Sequence, residues 1–389
     1  MSTPTEKLYD IDAYATAFTS EVLSCTETAQ GCEVVLASTL FFPEEGGQAC
    51  DTGTIDGIPV SHVALGKDGV ITHVLPSPLP VGKTVTGEIE FAPRYRKMQH
   101  HTGEHLLSGL AHRLYGANNV GFHLGADDVT MDLDVELDRY ALDRIEELAN
   151  EAIYRNLPVT ARYPSPEELI AMTYRAKLDL SENVRIVTIE EYDDCACCAP
   201  HVRSTGEIGL VKILDYMNYK GGVRLHIVCG MDALLDYRTR YGQVLRISNL
   251  LSAKQNEIVS AVEQLQNALI EEKRAQNALR NRILEEEIRR LPEAVNGNLI
   301  VFSPLLEARQ LRELANAGKT HCSGIFGAFA GDDENGYSYI LGSSSVDLKA
   351  KAKEINEALS GRGGGSKEMI QGSVKATAEC IRKYFGLVE

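Results

Sequence analysis

No apolar run in this 389-residue chain approaches the roughly 20 residues of a membrane-spanning helix, so a transmembrane protein is excluded from the reading. The opening residues, Met1-Ser2-Thr3-Pro4-Thr5-Glu6-Lys7, lack the basic-then-apolar pattern of a secretory leader, and a cytoplasmic protein is expected. Basic residues are in deficit. Thirty-nine Lys and Arg against 55 Asp and Glu give a net charge of −16, which argues against broad non-specific nucleic-acid binding and leaves only small basic faces for such contacts. A disulfide framework is missing too, because nine cysteines at irregular spacing do not suit a small secreted scaffold. Only Cys195, Cys197 and Cys198 cluster, and clustered thiols in a reducing compartment read better as metal ligands or redox groups.

The chain is too long for one ordinary core, and it divides by pattern into four parts of a multidomain α+β protein. Residues 1–92 carry short alternating runs with Asp56-Gly57 and Asp68-Gly69 turns, which predict a small β-barrel. Residues 93–231 begin with an amphipathic helix over about 94–115, with Pro93 near its start, Gly116 at its end and Leu106, Leu110 and Leu114 as its apolar stripe. Strands and a second helix then make an α+β domain. Residues 232–292 have almost no Gly or Pro, and Val244, Leu251, Ile258 and Leu265 fall seven apart. A long helix or antiparallel coiled-coil arm is expected there. Residues 293–389 form a C-terminal α/β domain, with a Gly-rich loop at Gly361-Arg362-Gly363-Gly364-Gly365 before a helix over 370–384.

Two motifs carry the chemistry. His101-Thr102-Gly103-Glu104-His105 and Cys197-Cys198-Ala199-Pro200-His201 each hold two potential ligands four residues apart, a spacing that stacks side chains on one helix face or folds over in a turn. A nitrogen/sulfur set of this kind suits zinc and poorly suits magnesium or calcium. Cys195 and Cys198 compete with Cys197, which is preferred for its spacing to His201. His100 points about 100° from the His101/His105 face and is expected to be exposed. The first motif also reads H-x-x-E-H, the inverted zinc-peptidase signature, in which Glu104 is the general base. That reading gives the Cys/His cluster no role.

A third stretch, Phe41-Phe42-Pro43-Glu44-Glu45-Gly46-Gly47-Gln48, offers glycine backbone for close approach and an amide donor and acceptor. Taken in order with the two ligand motifs, it resembles the editing domain of alanyl-tRNA synthetase. With no aminoacylation half, the chain is similar to the free-standing alanyl-tRNA editing proteins called AlaX, and the helical arm with its Gly-rich tail resembles their long form. The resemblance implies hydrolysis of tRNA(Ala) mischarged with serine or glycine. It implies a Zn2+ ion on His101, His105, Cys197 and His201. His101, His105, Gln48 and Thr102 would serve catalysis, and Gly46, Gly47, Gln48 and His123 would line the substrate pocket. Arg94, Arg96, Lys97, Arg362 and Lys367 are the candidate tRNA contacts, and the arm with the C-terminal domain suggests a homodimer. One departure stands out. The family usually has Gly-Thr before the second motif's histidine, and this chain has Ala199-Pro200, where Pro200 fixes φ and removes an N–H. A non-catalytic tRNA-binding module with structural zinc is the remaining alternative.

Overall fold

The computed structural model describes residues 3–29, 31–125, 128–176 and 184–387. The chain forms two compact units, Met1–Val244 and Leu245–Glu389. Among the described residues no helix is long and apolar enough to cross a membrane.

The first unit opens with seven strands: β1 (Ala17–Thr28), β2 (Gly31–Leu36), β3 (Gly53–Ile55), β4 (Ile58–Val60), β5 (His62–Leu65), β6 (Ile71–Leu75) and β7 (Thr84–Ile89). They form one sheet in the order β4-β3-β7-β1-β2-β6-β5. The edge strands β4 and β5 follow each other through Ser61, whose N–H donates to Val74 O (2.9 Å), so the sheet nearly closes on itself. The first half of β1 and all of β7 alternate strictly between exposed and buried positions. The buried set, with Val22, Val34, Leu36, Phe41, Phe42, Ile71, Leu75 and Val85, fills the interior of the curved sheet.

Helix α1 (Phe91–Tyr115) follows. Pro93 lies in its first turn, where a missing N–H costs nothing. Gly116 takes a left-handed φ of 66° and returns its N–H to the last turn, which ends the helix. Strands β8 (Asn119–Leu124) and β9 (Val129–Leu133) form a hairpin, and Asp138 caps helix α2 (Arg139–Arg155) by accepting from Ala141 N–H. A three-stranded sheet contains β10 (Val159–Arg162), β11 (Ile186–Ile189) and β12 (Asp193–Ala196) in sequence order. The unit's last strands, β13 (Val211–Tyr219) and β14 (Gly222–Cys229), join the hairpin in a four-stranded antiparallel sheet ordered β8-β9-β14-β13. Helices α1 and α2 share a core with this sheet through Leu106, Leu107, Leu110, Ile145, Met131 and Leu225.

Two sequence expectations for α1 fail here. His100 is fully buried, and Leu114 is exposed. The helix is enclosed on nearly all sides from Lys97 to Ala111, so a single apolar stripe does not describe it. His100 is a core histidine, with Nδ1 at 2.9 Å from Arg96 O and Nε2 accepting from Cys229 N–H (3.1 Å).

Helix α3 (Gly230–Leu251) runs across the boundary between the units. It ends at Ser252, with φ at 51°, before α4 (Ile258–Arg289) begins. The expected long helix is thus broken in two, and Leu284 is the buried residue of α4. The second unit has β15 (Leu299–Phe302), α5 (Ala308–Gly318), β16 (Phe326–Asp332), β17 (Gly336–Gly342), α6 (Leu348–Ala358), β18 (Gly361–Gly365), β19 (Met369–Val374) and α7 (Ala378–Tyr384). Its sheet order is β15-β16-β17-β19-β18. The glycine run expected as a loop is the edge strand β18. Residues 369–374 are strand, so the last helix is shorter than its expected span.

Candidate metal centre

His101 and His105 lie one turn apart on the buried face of α1, and Cys197 and His201 lie on the turn after β12. The structure brings the four together: one nitrogen or sulfur from each lies within 4.8 Å of the others. Cys197 Sγ is 3.5 Å from His101 Nε2 and 3.3 Å from His201 Nε2. The ring centroids of His105 and His201 are 4.6 Å apart, and those of His101 and His201 are 5.0 Å apart. Two cores meet at this point. Helix α1 belongs to the α+β core, whereas Ala199 is buried in the barrel core with Cys197 and Cys198 packed against it.

Ala199-Pro200 does not spoil the second pair. Arg185 Nη1 donates to the carbonyls of Cys197 (3.0 Å) and Ala199 (2.9 Å), and Arg185 O accepts from Cys197 N–H (3.0 Å). The turn is held through carbonyls, which a proline at 200 leaves in place.

Each imidazole has a side-chain oxygen 3.0 Å from its Nδ1. His101 Nδ1 is 3.0 Å from Gln48 Oε1, and His105 Nδ1 is 3.0 Å from Asp193 Oδ2. His201 Nδ1 is 3.0 Å from Thr102 Oγ1. The Thr102 hydroxyl donates its one hydrogen to Met98 O (2.7 Å), so it can only accept from His201. The Thr102 bond assigns the His201 proton to Nδ1, which leaves its Nε2 lone pair toward the Cys197 sulfur. This is the orienting shell that metal-binding histidines require. Burial first, then the neighbouring imidazoles of His105 and His101, hold His201 well below the usual imidazole pKa, which keeps it in the neutral ligand form. Burial pushes the Cys197 thiol well above its usual value, and a cation held there would have to displace that proton.

His105, Asp193 and Cys195 form a second group close enough to share an ion. Arg175 fills it instead, with Nε on Asp193 Oδ1 (2.6 Å) and Nη2 on Oδ2 (2.8 Å). Burial alone would raise the Asp193 pKa, but the His105 ring and the Arg175 guanidinium hold it below the ordinary value.

The remaining expected residues divide. Gln48 is buried, with its Nε2 lacking a hydrogen-bond partner among the described residues. Gly46 and Gly47 are left-handed, at φ 63° and 83°, and exposed. At Gly47 a Cβ would meet Phe122 O at 2.1 Å, so the glycine permits the close approach in which Leu124 N–H donates to Gly47 O (2.9 Å). His123 is exposed on β8 and lies outside the cluster. By strand alternation its neighbour Phe122 faces the other way, with its ring centroid 5.1 Å from that of His101. Of the Gly121-Phe122-His123 stretch, read from the sequence as a further pocket-wall motif, Phe122 rather than His123 is the member that stands beside the cluster. Glu104 is buried and accepts from Asn119 Nδ2. Its Oε2 is 3.9 Å from His105 Nε2, and it is not one of the four clustered donors.

The basic candidates need correcting. Arg94 is fully buried, paired with Asp51, and donates to Leu40 O (2.6 Å) and Ala13 O (3.2 Å), so it is unavailable to RNA. Lys97 is buried, donating to Cys50 O and 3.8 Å from Asp51 Oδ1. Arg96 is partly buried on Asp232 (2.6 Å) and Gly125 O (3.1 Å). Arg362 and Lys367, in the second unit, are exposed, with Lys367 4.0 Å from Asp347.

A family model described as the threonyl and alanyl tRNA synthetase second additional domain matches residues 184–226, the stretch holding Cys197 and His201. The alanyl-tRNA editing protein AlaX-L of Pyrococcus horikoshii is 28% identical, over 97% of this chain and 96% of its own length. The alanyl-tRNA editing protein Aarsd1 of Mus musculus is 29% identical over 94% and 93%. An alanine–tRNA ligase of Pyrobaculum neutrophilum is 30% identical over 97% of this chain and 44% of its own.

Proposed function

We propose, from the premise that this chain belongs to the alanyl-tRNA editing proteins of the long form, that it hydrolyses the ester joining serine, and also glycine, to tRNA(Ala) at a zinc centre. It is an aminoacyl-tRNA deacylase. The observation that carries the metal reading is the cluster of three histidines with the Cys197 sulfur, His101 and His201 meeting it through Nε2 and each of the three rings having an oxygen 3.0 Å from Nδ1. Three imidazoles and a thiolate suit zinc. When bound, zinc supplies a Lewis acid for the ester carbonyl or a more acidic water.

Four protein donors leave no vacant position in a tetrahedral shell. Cys197 is the half-buried member of the four, and it would be the donor to give up a position for substrate. The ester is intrinsically labile, so the chain contributes mainly by positioning. Gly46 and Gly47 offer backbone next to Gln48, whose Nε2 amide is a buried donor without a partner among the described residues. A serine hydroxyl accepting from that amide explains discrimination. Alanine leaves it unpaired, at a cost of about 1–3 kcal/mol, on the order of 5- to 150-fold in rate. Arg362 and Lys367 remain the candidate contacts to the tRNA backbone, so affinity should weaken with salt. Exposed Leu265, Leu269, Ile270 and Leu279 on α4 support a homodimer through the arm, which sedimentation of the full chain would test.

The peptidase reading needs Cys197 and His201 to be idle, yet both join the cluster. The test is deacylation of Ser-tRNA(Ala) beside Ala-tRNA(Ala) by wild type and His105→Ala. Fast loss of serine only, abolished by the substitution, supports the reading. Retained tRNA binding with no deacylation by metal-loaded wild type would leave a binding module instead.

A further inference from the structure

We propose that Asp193, Arg175 and Ser108 form a positioning chain that fixes the tautomer of His105 and so sets the affinity of the metal centre. The inference rests on reading His101, His105, Cys197 and His201 as that centre. It does not depend on the substrate.

Among the three imidazoles, His101 and His201 are backed by neutral groups, an amide and a hydroxyl. His105 alone faces a carboxylate, at 3.0 Å from Nδ1 to Asp193 Oδ2, with both side chains buried. The contact is a close charge-facing approach rather than a hydrogen bond, since Nδ1 has no hydrogen-bond partner among the described residues. A bare ring lone pair facing a carboxylate oxygen at this distance would repel it, so the proton belongs on Nδ1 and the lone pair on Nε2. A carboxylate behind a ligand imidazole also strengthens its donation to a metal.

Asp193 cannot turn away, because Arg175 grips both of its oxygens in a two-point fork. Arg175 is fixed in turn at both ends. Its Nη2 also reaches Ser108 Oγ at 2.7 Å, and Ser108 lies one turn beyond His105 on α1. Its backbone pairs with the strand that leads to the other ligands: Arg175 N–H donates to Asp194 O (2.8 Å), and Arg175 O accepts from Ala196 N–H (2.8 Å). Cys197 is the next residue. One arginine thus ties the helix carrying His101 and His105 to the strand that delivers Cys197 and His201. The same fork keeps a cation out of the neighbouring His105/Asp193/Cys195 group, since an ion there must displace a guanidinium from both carboxylate oxygens.

The experiment uses the full chain and two readouts that do not depend on turnover. Zinc affinity is measured by competition with a chromophoric chelator for wild type, Asp193→Ala, Asp193→Asn, Arg175→Met and Arg175→Lys. The tautomer of His105 in metal-free protein is read from long-range 1H–15N correlation spectra. The expected result is a single Nδ1–H tautomer in wild type, lost in Asp193→Ala, with zinc affinity down about 10- to 100-fold. Arg175→Met should fall in the same direction and Arg175→Lys should recover part of the loss. If Asp193→Ala does not fold, Asp193→Asn keeps the volume and one acceptor and should still lose affinity. Zinc affinities within twofold of wild type across the folded variants, or an Nε2–H tautomer in wild type, would overturn the proposal. Deacylation lost with affinity intact would overturn it too, while leaving the deacylase reading standing. Asp193-dependent zinc affinity in a wild type that deacylates nothing would do the reverse.

Discussion

Thr102→Val separates a prop for the metal centre from a contact with substrate. The Thr102 hydroxyl donates to Met98 O (2.7 Å) and stands 3.0 Å from His201 Nδ1 and 3.3 Å from the Val202 N–H that donates to it. Valine keeps the shape and removes all three. The loss at Met98 O is small, because that carbonyl still has its place in the α1 ladder. The other two losses leave buried N–H donors unpaired, each worth about 1–3 kcal/mol. Partial relaxation brings the expected destabilisation of the metal-free protein to about 2–4 kcal/mol. His201 is then free to carry its proton on Nε2, and zinc affinity should fall about 10- to 100-fold. Thr102→Ser keeps the hydroxyl and should stay near wild type in both measurements. The assays are urea unfolding of metal-free protein and chelator competition. If Thr102→Val keeps its stability and zinc affinity and loses only deacylation, the hydroxyl belongs to the substrate and the argument from its hydrogen bonds is refuted.

Three further outcomes are expected. Arg94→Met strands the buried Asp51 carboxylate and should cost about 3–5 kcal/mol in urea unfolding, with the tRNA affinity of the folded fraction unchanged. Gly47→Ala forces a Cβ into Phe122 O and should weaken zinc binding by shifting Gln48. Gly46→Ala meets nothing within 4 Å and should cost only the left-handed backbone, about 1 kcal/mol. His73 is fully buried, and desolvation takes its pKa from 6.5 down to about 4. The unfolded chain therefore binds that proton first as pH falls. The stability contribution is complete above about pH 6.5 and is lost between there and pH 4, by about 3 kcal/mol in metal-free protein. His73→Gln should flatten this slope, and an unchanged slope in denaturant titrations across that range would count against the assignment.

The ligand set was legible because its information is local. His101/His105 and Cys197/His201 are each four residues apart, and nitrogen/sulfur chemistry names the class of metal. Their orienting partners were not legible, because nothing in the chain announces that Gln48 will meet His101 or that Asp193 will meet His105. The threonine inside the first motif was visible, but its role needed the three-way bonding at its hydroxyl. Arg94 was misread for a related reason. A run of charges, Arg94-Tyr95-Arg96-Lys97, suggests a surface, but a helix that opens against a barrel sends two of the three inward, to a carboxylate and to carbonyls. The glycine run at 361–365 looked like a loop because glycine favours no strand. It pairs as an edge strand in a close approach that glycine permits, since a Cβ at Gly363 would lie 2.4 Å from both the Tyr339 hydroxyl and Gln371 O.

The most direct measurement is a zinc titration of metal-stripped protein, reading bound metal and the rate of Ser-tRNA(Ala) deacylation in the same samples. The account predicts negligible rate without metal, a rise in step with the first equivalent bound, and saturation there. Full-rate deacylation by the metal-free protein, or one bound equivalent with no activity, would contradict it.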